Sequence, residues 1–422
     1  MAWFRTTALV VGAAAVAGGA SAQQQKVTGP VATYWVSAST SSGFGAGMMG
    51  AGGGRPNMGA MMGAMMGGGS NVSKTLNLQL GSSRKAAGEP AAEHLPPQAL
   101  RAGPSLPLVT PRPVTGQRHE PTPDIPPEYQ KPKGRMLIFW GCGEKARPGQ
   151  PVVIDFAQMA AGKVPAGMEA MTRGLNVTPM QPPSASRHAT YGEWPNERTR
   201  TSVPAQGSLI GDHVIRGNYS PEIRFALDQN QDFLGALNLT RNEVGPTGAG
   251  QLAWNALPNA RGYLATAIGG GENDTMVMWS SSEVQASAFA MPDYLSNGDL
   301  TRLVASKALM APTTTSCAIP QEVVRAAPQA MVQLAAYGGE TNLSYPPRPS
   351  DPKVAWNIDW TVKVRYKSQT GGILGMDMGG GMDDEGPRRG PQGQRGQKPQ
   401  KQPPSVGGAI LRGVLGGRIP GT

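Results

Sequence analysis

The sequence predicts a mainly β protein: one or two antiparallel β-sandwich modules with short helices, interrupted by long disordered Gly/Met-rich and Pro-rich segments. Three observations carry this expectation. Glycine and proline supply 58 and 39 of the 422 residues, nearly a quarter of the chain. That composition suits short strands and many turns and excludes a single helical bundle. Several stretches alternate apolar and polar residues with a period of two, as strands with one buried face do. Helix signals, by contrast, are confined to two short segments.

Residues 1–22 read as a secretory signal peptide. Arg5 lies in a short basic start, Ala8 to Ala17 is an apolar run, and Ala20-Ser21-Ala22 forms an A-x-A cleavage site. The run is too short to span a bilayer of about 30 Å, so no transmembrane helix is expected in the mature chain. Export and a composition rich in Gly, Ala, Arg and Pro point to a bacterial envelope protein, periplasmic or extracellular.

The first mature segment, 23–80, reads as a β-hairpin. Pro30 to Thr40 is β-branched and aromatic, and Leu76, Leu78 and Leu80 alternate with polar neighbours. Between them lies a flexible loop, 43–69, built almost wholly from Gly, Ala and Met. Residues 81–133 are proline-rich and polar, without helix or strand periodicity, and read as an extended linker. In 134–206 a hairpin is expected from Met136–Trp140 and Val152–Phe156 around the turn Arg147-Pro148-Gly149, followed by an irregular stretch.

A β-sandwich domain is expected over 207–370. Leu209–Arg216, Glu222–Leu227 and Phe233–Leu239 read as strands, and Val362, Val364 and Tyr366 alternate within a last one. Asp299 is placed to cap a short helix over Leu300–Leu309, and Pro320 to start another over Gln321–Ala326. Residues 371–422 read as a disordered basic tail with a short apolar patch at Leu411–Leu415. The spacing Leu252-x-Trp254, Leu257-Pro258, Ala260 and Tyr263 resembles consecutive strands of a fibronectin type III-like sandwich over about residues 250–290. That resemblance implies Trp254 packing on Tyr263 in the core and carries no activity with it.

The formal charge of +10 accompanies no nucleic-acid-binding motif. Much of the excess sits in the tail, at Arg388, Arg389, Arg395, Lys398 and Lys401. Plain solubility is the expected consequence, with weak long-range attraction to anionic lipids and wall polymers as the alternative and no nucleic-acid partner. Cys142 and Cys317 are the two cysteines. In an oxidising compartment they read as one disulfide closing about 175 residues, worth roughly 5 kcal/mol in the chain-entropy account.

Catalytic motifs are absent from the sequence: no Walker loop, no G-x-S-x-G and no HExxH. Ser82 and Lys85 match S-x-x-K without its companion motifs, and Gly269-Gly270-Gly271 reads as a hairpin loop. His94, His119, His188 and His213 are far apart in sequence and read as structural. Asp212 and His213, adjacent on a strand, point to opposite faces and cannot act as a dyad. Glu193 with Glu197, or Asp228 with Asp232, are the carboxylate pairs a polysaccharide-acting enzyme would draw on. The methionines are the chemical oddity. Met48, Met49, Met58, Met61, Met62, Met65 and Met66 crowd one loop, and their neutral thioethers suit Cu(I). A second group, Met376, Met378 and Met382, has Asp377, Asp383 and Asp384 beside it. The expectation is a non-catalytic binding or structural envelope protein without a resident cofactor, partnered by an envelope protein or cell-wall polymer. Periplasmic Cu(I) binding or delivery is the first alternative, and a polysaccharide-acting enzyme the second.

Overall fold

Strands dominate the computed structural model, which describes residues 25–43, 72–112, 134–163, 175–285 and 288–376. In chain order they are β1 (Val27–Thr28), β2 (Ala32–Gly43), β3 (Ser73–Ser82), β4 (Ala92–Leu95), β5 (Leu106–Leu108), β6 (Arg135–Trp140) and β7 (Val152–Asp155). A short helix α1 (Phe156–Ala160) precedes β8 (Thr190–Trp194), β9 (Gly211–Gly217), β10 (Ile223–Leu227), β11 (Leu239–Val244), β12 (Gly250–Trp254), β13 (Gly262–Gly270) and β14 (Thr275–Ser280). Then come α2 (Asn297–Ala305), β15 (Ser316–Ile319), α3 (Gln321–Ala326), β16 (Met331–Tyr345), β17 (Trp356–Asn357) and β18 (Trp360–Ile373). The mainly β class read from the sequence is therefore the class observed.

Nine strands form one sheet in the order β7-β6-β14-β13-β16-β18-β2-β3-β8. Its pairings are antiparallel except β6 with β14 and β18 with β2, which run parallel. Parallel neighbours need long crossovers, and here Ala32 at the start of the described chain pairs with Trp360 near its end. The segments 23–80, 134–206 and 207–370 all contribute strands to this sheet. Two smaller sheets, β10-β9-β4-β5 and β11-β12-β15, supply the opposing layer.

The main core lies between these layers. From the large sheet come Tyr34, Val36, Ala38, Leu76, Leu78, Leu80, Val362 and Val364; from the small sheets come Leu106, Ile215, Ile223, Leu252 and Trp254. These are the inward positions of period-two strands, so alternation in sequence becomes one apolar face in space. Cys142, just past β6, pairs with Cys317 on β15, their Cα atoms 5.3 Å apart. The bond ties the large sheet to the three-stranded one.

Several local expectations are corrected. The segment 81–133 is not structureless throughout: β4 and β5 lie within it, because His94, Leu106 and Leu108 reach the core between turns too short for a periodicity to show. Phe233–Leu239 is not a strand before Leu239; Phe233, Leu234 and Leu237 are buried from an irregular segment. Helix α2 begins at Asn297, capped by Ser296, whose hydroxyl accepts from the Asp299 amide at 3.0 Å and donates to the Asp299 carboxylate at 2.8 Å. Asp299 thus sits inside the first turn, held to the capping hydroxyl through both its amide and its carboxylate. Order continues past Gly371, since β18 reaches Ile373 and Leu374 is buried in the core. The leader, the bulk of the Gly/Met loop, residues 113–133 and the tail beyond Met376 lie outside the described residues. Among the described residues no helix is long and apolar enough to cross a membrane.

Candidate functional site

Alternation gives the large sheet a second face with a different character. Opposite the core, β2 presents Trp35 and Ser37, β3 presents Thr75, Asn77 and Gln79, and β18 presents Lys363, Arg365 and Lys367. Toward β13 and β16 this face is covered by α2, through Leu300 and Leu303 against Leu264 and Tyr337. Toward β18, β2, β3 and β8 no helix among the described residues covers it, and a cleft of about 760 Å³ opens there. Its floor is Ser37, Thr75, Asn77, Gln79 and Arg365; its walls are Pro179, Met180 and Pro182 on one segment, Pro195 and Asn196 after β8, and Pro292, Asp293 and Tyr294 before α2. Four wall prolines fix φ and stiffen the rim.

The polar groups of the cleft divide into engaged and free. Glu193, on the edge strand β8, accepts from the Tyr191 hydroxyl at 2.5 Å, and that hydroxyl also accepts from Gln79 at 3.1 Å. Burial, with the bond to Glu193, pushes the Tyr191 phenol well above its ordinary range. Asp293 accepts from Lys367 at 2.6 Å; the lysine's charge is the main reason its carboxyl is held below the usual range. Glu340 pairs with Lys363. Thr75 and Asn77 make no side-chain hydrogen bond among the described residues, and they line the cleft.

Arg365 is the central cation. Its guanidinium lies 4.9 Å from the Trp35 ring centroid and 4.4 Å from that of Tyr294. Nε donates to Ser37 Oγ at 2.7 Å, and one Nη lies 3.9 Å from Met180 Sδ. Burial is the main influence on Arg365 and lowers its pKa; Tyr294, Asp293 and Glu340 act the other way.

A second polar constellation sits in the core on the other side of β2. The Tyr34 hydroxyl is 3.0 Å from His94 Nδ1, His94 Nε2 is 2.9 Å from His213 Nδ1, and His213 Nε2 is 2.7 Å from the Leu209 carbonyl. A carbonyl only accepts, so neutral rings must each carry their proton on Nε2 and Tyr34 must donate to His94. His213 also stacks on Phe225 at 4.7 Å. Burial first, and the neighbouring ring second, holds His94 well below its ordinary pKa; burial lowers His213 too. This chain joins β2 of the large sheet to β4 and β9 of the four-stranded one. Both histidines are structural, as read from sequence, but their partnership across 119 residues was not legible there.

The other sequence candidates disperse. Glu193 lines the cleft, whereas Glu197 is exposed and pairs with Arg112. Asp228 caps its own turn through Asn230, and Asp232 accepts from Ser208 and Leu209, so neither carboxylate is free. Ser82 donates to the Tyr219 carbonyl in the core, away from Lys85. Gly271 begins the turn between β13 and β14, with its amide on Thr275, which makes the glycine run a hairpin. His188 packs beside Gly81 and bonds within its own turn at Ser184. Met48, Met49, Met58, Met61, Met62, Met65, Met66, Met378, Met382 and His119 lie outside the described residues, and Met376 is exposed. Among the described residues no group of three or more His, Cys, Asp or Glu side chains could hold a metal ion.

The cleft itself was missed in sequence. Its signal was the polar half of each alternation, Thr75-x-Asn77-x-Gln79 and Lys363-x-Arg365-x-Lys367, which becomes a surface only through the β18–β2 pairing. No protein-family profile, curated protein or solved structure matches this chain. The Trp254 and Tyr263 rings lie 5.7 Å apart, on strands of different sheets.

Proposed function

We propose that the protein is an exported, non-catalytic binding protein of the envelope that holds a glycan in the cleft over β18, β2, β3 and β8. The observation that carries this reading is the division of the cleft's polar groups. Hydroxyl and amide groups of Thr75 and Asn77 are free to exchange hydrogen bonds, while the carboxylates Glu193 and Asp293 are occupied by Tyr191 and Lys367. Planar amides and hydroxyls beside proline walls match the vicinal hydroxyls of a sugar, and an open trough admits a polymer segment. Acid–base hydrolysis, in contrast, needs a carboxyl that keeps a proton and a second one free across the scissile bond. Asp293, held ionised by Lys367, is not suited to the first role. The test is calorimetric titration with neutral and acidic oligosaccharides. Saturable binding that Asn77→Ala weakens about tenfold is expected; no binding to any of them contradicts the proposal.

Thioether copper binding is the second reading, favoured by where two strands end. Gly43 at the end of β2 pairs with Gly371 near the end of β18, and the strands are parallel. The strand ends nearest in sequence to Met48–Met66 and to Met376–Met382 therefore lie side by side. An anaerobic Cu(I) titration against a chromogenic chelator tests it, with the methionines from Met48 to Met66 changed to leucine as control. Equal competition by both proteins would remove the reading.

A further inference from the structure

Lys363, Arg365 and Lys367 stand on alternate residues of β18 and so share one face of the sheet. The two outer cations each have a carboxylate: Glu340 for Lys363 and, at 2.6 Å, Asp293 for Lys367. The middle one has none. Among the described residues Arg365 forms no ion pair, and its only polar contacts are Ser37 Oγ and Met180 Sδ. A partly buried guanidinium without a direct ion pair is a costly arrangement, because burial removes water while the carboxylates of Asp293 and Glu340 act on its charge only from a distance. Two aromatic rings, Trp35 and Tyr294, hold its plane in place at 4.9 and 4.4 Å. The Nη groups keep N–H donors that no described side chain takes up, and Arg365 lines the 760 Å³ cleft.

We infer that Arg365 is the carboxylate-recognition residue of the cleft, and that the bound glycan carries acidic sugars. This rests on the reading of the cleft as a glycan site and adds the class of its ligand. A guanidinium presents parallel N–H donors in a rigid fork that fits the two oxygens of a carboxylate, whereas a lysine offers only a point charge. Stacking on both rings fixes that fork before the ligand arrives, so little side-chain freedom is lost on binding. The neighbouring carboxylates do not fill the site, each being occupied by its own lysine. Thr75 and Asn77 lie on the adjoining floor, where they would meet the hydroxyls of the same sugar.

The experiment uses the full mature protein, with an α-1,4-linked galacturonate tetramer and its fully methyl-esterified form as probes, measured by calorimetry at fixed salt. Wild type is expected to bind the acid at least about tenfold more tightly than the ester. R365Q is expected to bind both at the level of the ester, and R365K to recover only part of the preference. Equal binding of acid and ester by wild type overturns the inference while leaving the glycan reading intact. A preference for the acid that survives in folded R365Q also overturns it, because the net positive charge would then account for the effect. Binding of neither probe overturns both readings. The Arg365 Nε–Hε resonance of the wild-type protein supplies a measurement that needs no variant: it should shift with the acid and stay fixed with the ester, and the absence of any shift on saturation with the acid counts against the inference.

Discussion

The two faces of β18 are written by alternate letters of one stretch of sequence, yet they follow different rules. On one face Val362, Val364 and Tyr366 lie in the core against the small sheets. The other carries Lys363, Arg365 and Lys367, of which Arg365 lines the cleft. The apolar face is packed from both layers; Tyr34, His94 and His213 form a chain that ends on the Leu209 carbonyl, while the Tyr219 hydroxyl and Trp254 Nε1 are buried there without a hydrogen-bond partner. The polar face is incomplete, with two ion pairs made and one cation left over. A face filled by its neighbours serves stability, and a face whose donors open onto a cleft is where a ligand can enter.

That comparison can be broken at several points, the largest effect first. Val364→Asp puts an unpaired carboxylate at a fully buried position and should cost more than about 4 kcal/mol. Loss of a cooperative unfolding transition is the expected readout, and a folded variant near wild-type stability would show that this face is not the core. Replacing Cys142 and Cys317 together by serine releases the tie between the large sheet and β15. The expected loss is about 2–5 kcal/mol by chemical denaturation, with the low end if the unfolded chain keeps structure.

Acid should act on the apolar face next. His94 and His213 are neutral and buried, with pKa values held below that of a free histidine by burial. The unfolded chain therefore takes up protons first as pH falls. Stability from this pair is fully present above about pH 6.5 and erodes below it, by at most about 1.4 kcal/mol per pH unit for each histidine. The titratable groups facing the pair are Tyr34 from β2 and Asp212 on β9, with Tyr219 beyond Tyr34; no lysine or arginine among them supplies a charge that would reverse the sign. Urea midpoints at pH 7.5, 6 and 5 should fall in that order, and His94→Gln should flatten the slope. A slope that stays the same would place the acid sensitivity elsewhere. Smallest of all, Lys367→Ala removes a pair whose acid partner is largely exposed, with 79% of the Asp293 side chain accessible. A change of no more than about 1 kcal/mol is expected in thermal unfolding.

Much of the fold could be read from alternation and turn residues. The β2–β3 and β6–β7 hairpins, the helix after Pro320 and the approach of Cys142 to Cys317 all follow from short-range patterns or from parity of cysteines. What escaped reading was non-local. Nothing near Ala32 announces that its strand will lie parallel to one beginning at Trp360, and the cleft depends on that pairing. The irregular burial of Phe233 and Leu237 looked like a strand because apolar spacing alone cannot separate a ladder from a packed loop. Arg365 was visible as one of three alternating cations, but its lack of a direct ion pair is a property of the assembled face. Likewise, His94 and His213 read as unrelated residues until β4 and β9 paired.

The most direct measurement is chemical-shift mapping of the galacturonate tetramer on isotope-labelled protein. Side-chain signals of Asn77, Gln79 and Arg365 should move together and saturate, while the methyl groups of Val36, Leu76 and Val364, on the same strands but in the core, stay in place. Shifts confined to other surfaces, or equal on both faces, would contradict the assignment of the polar face as the binding site.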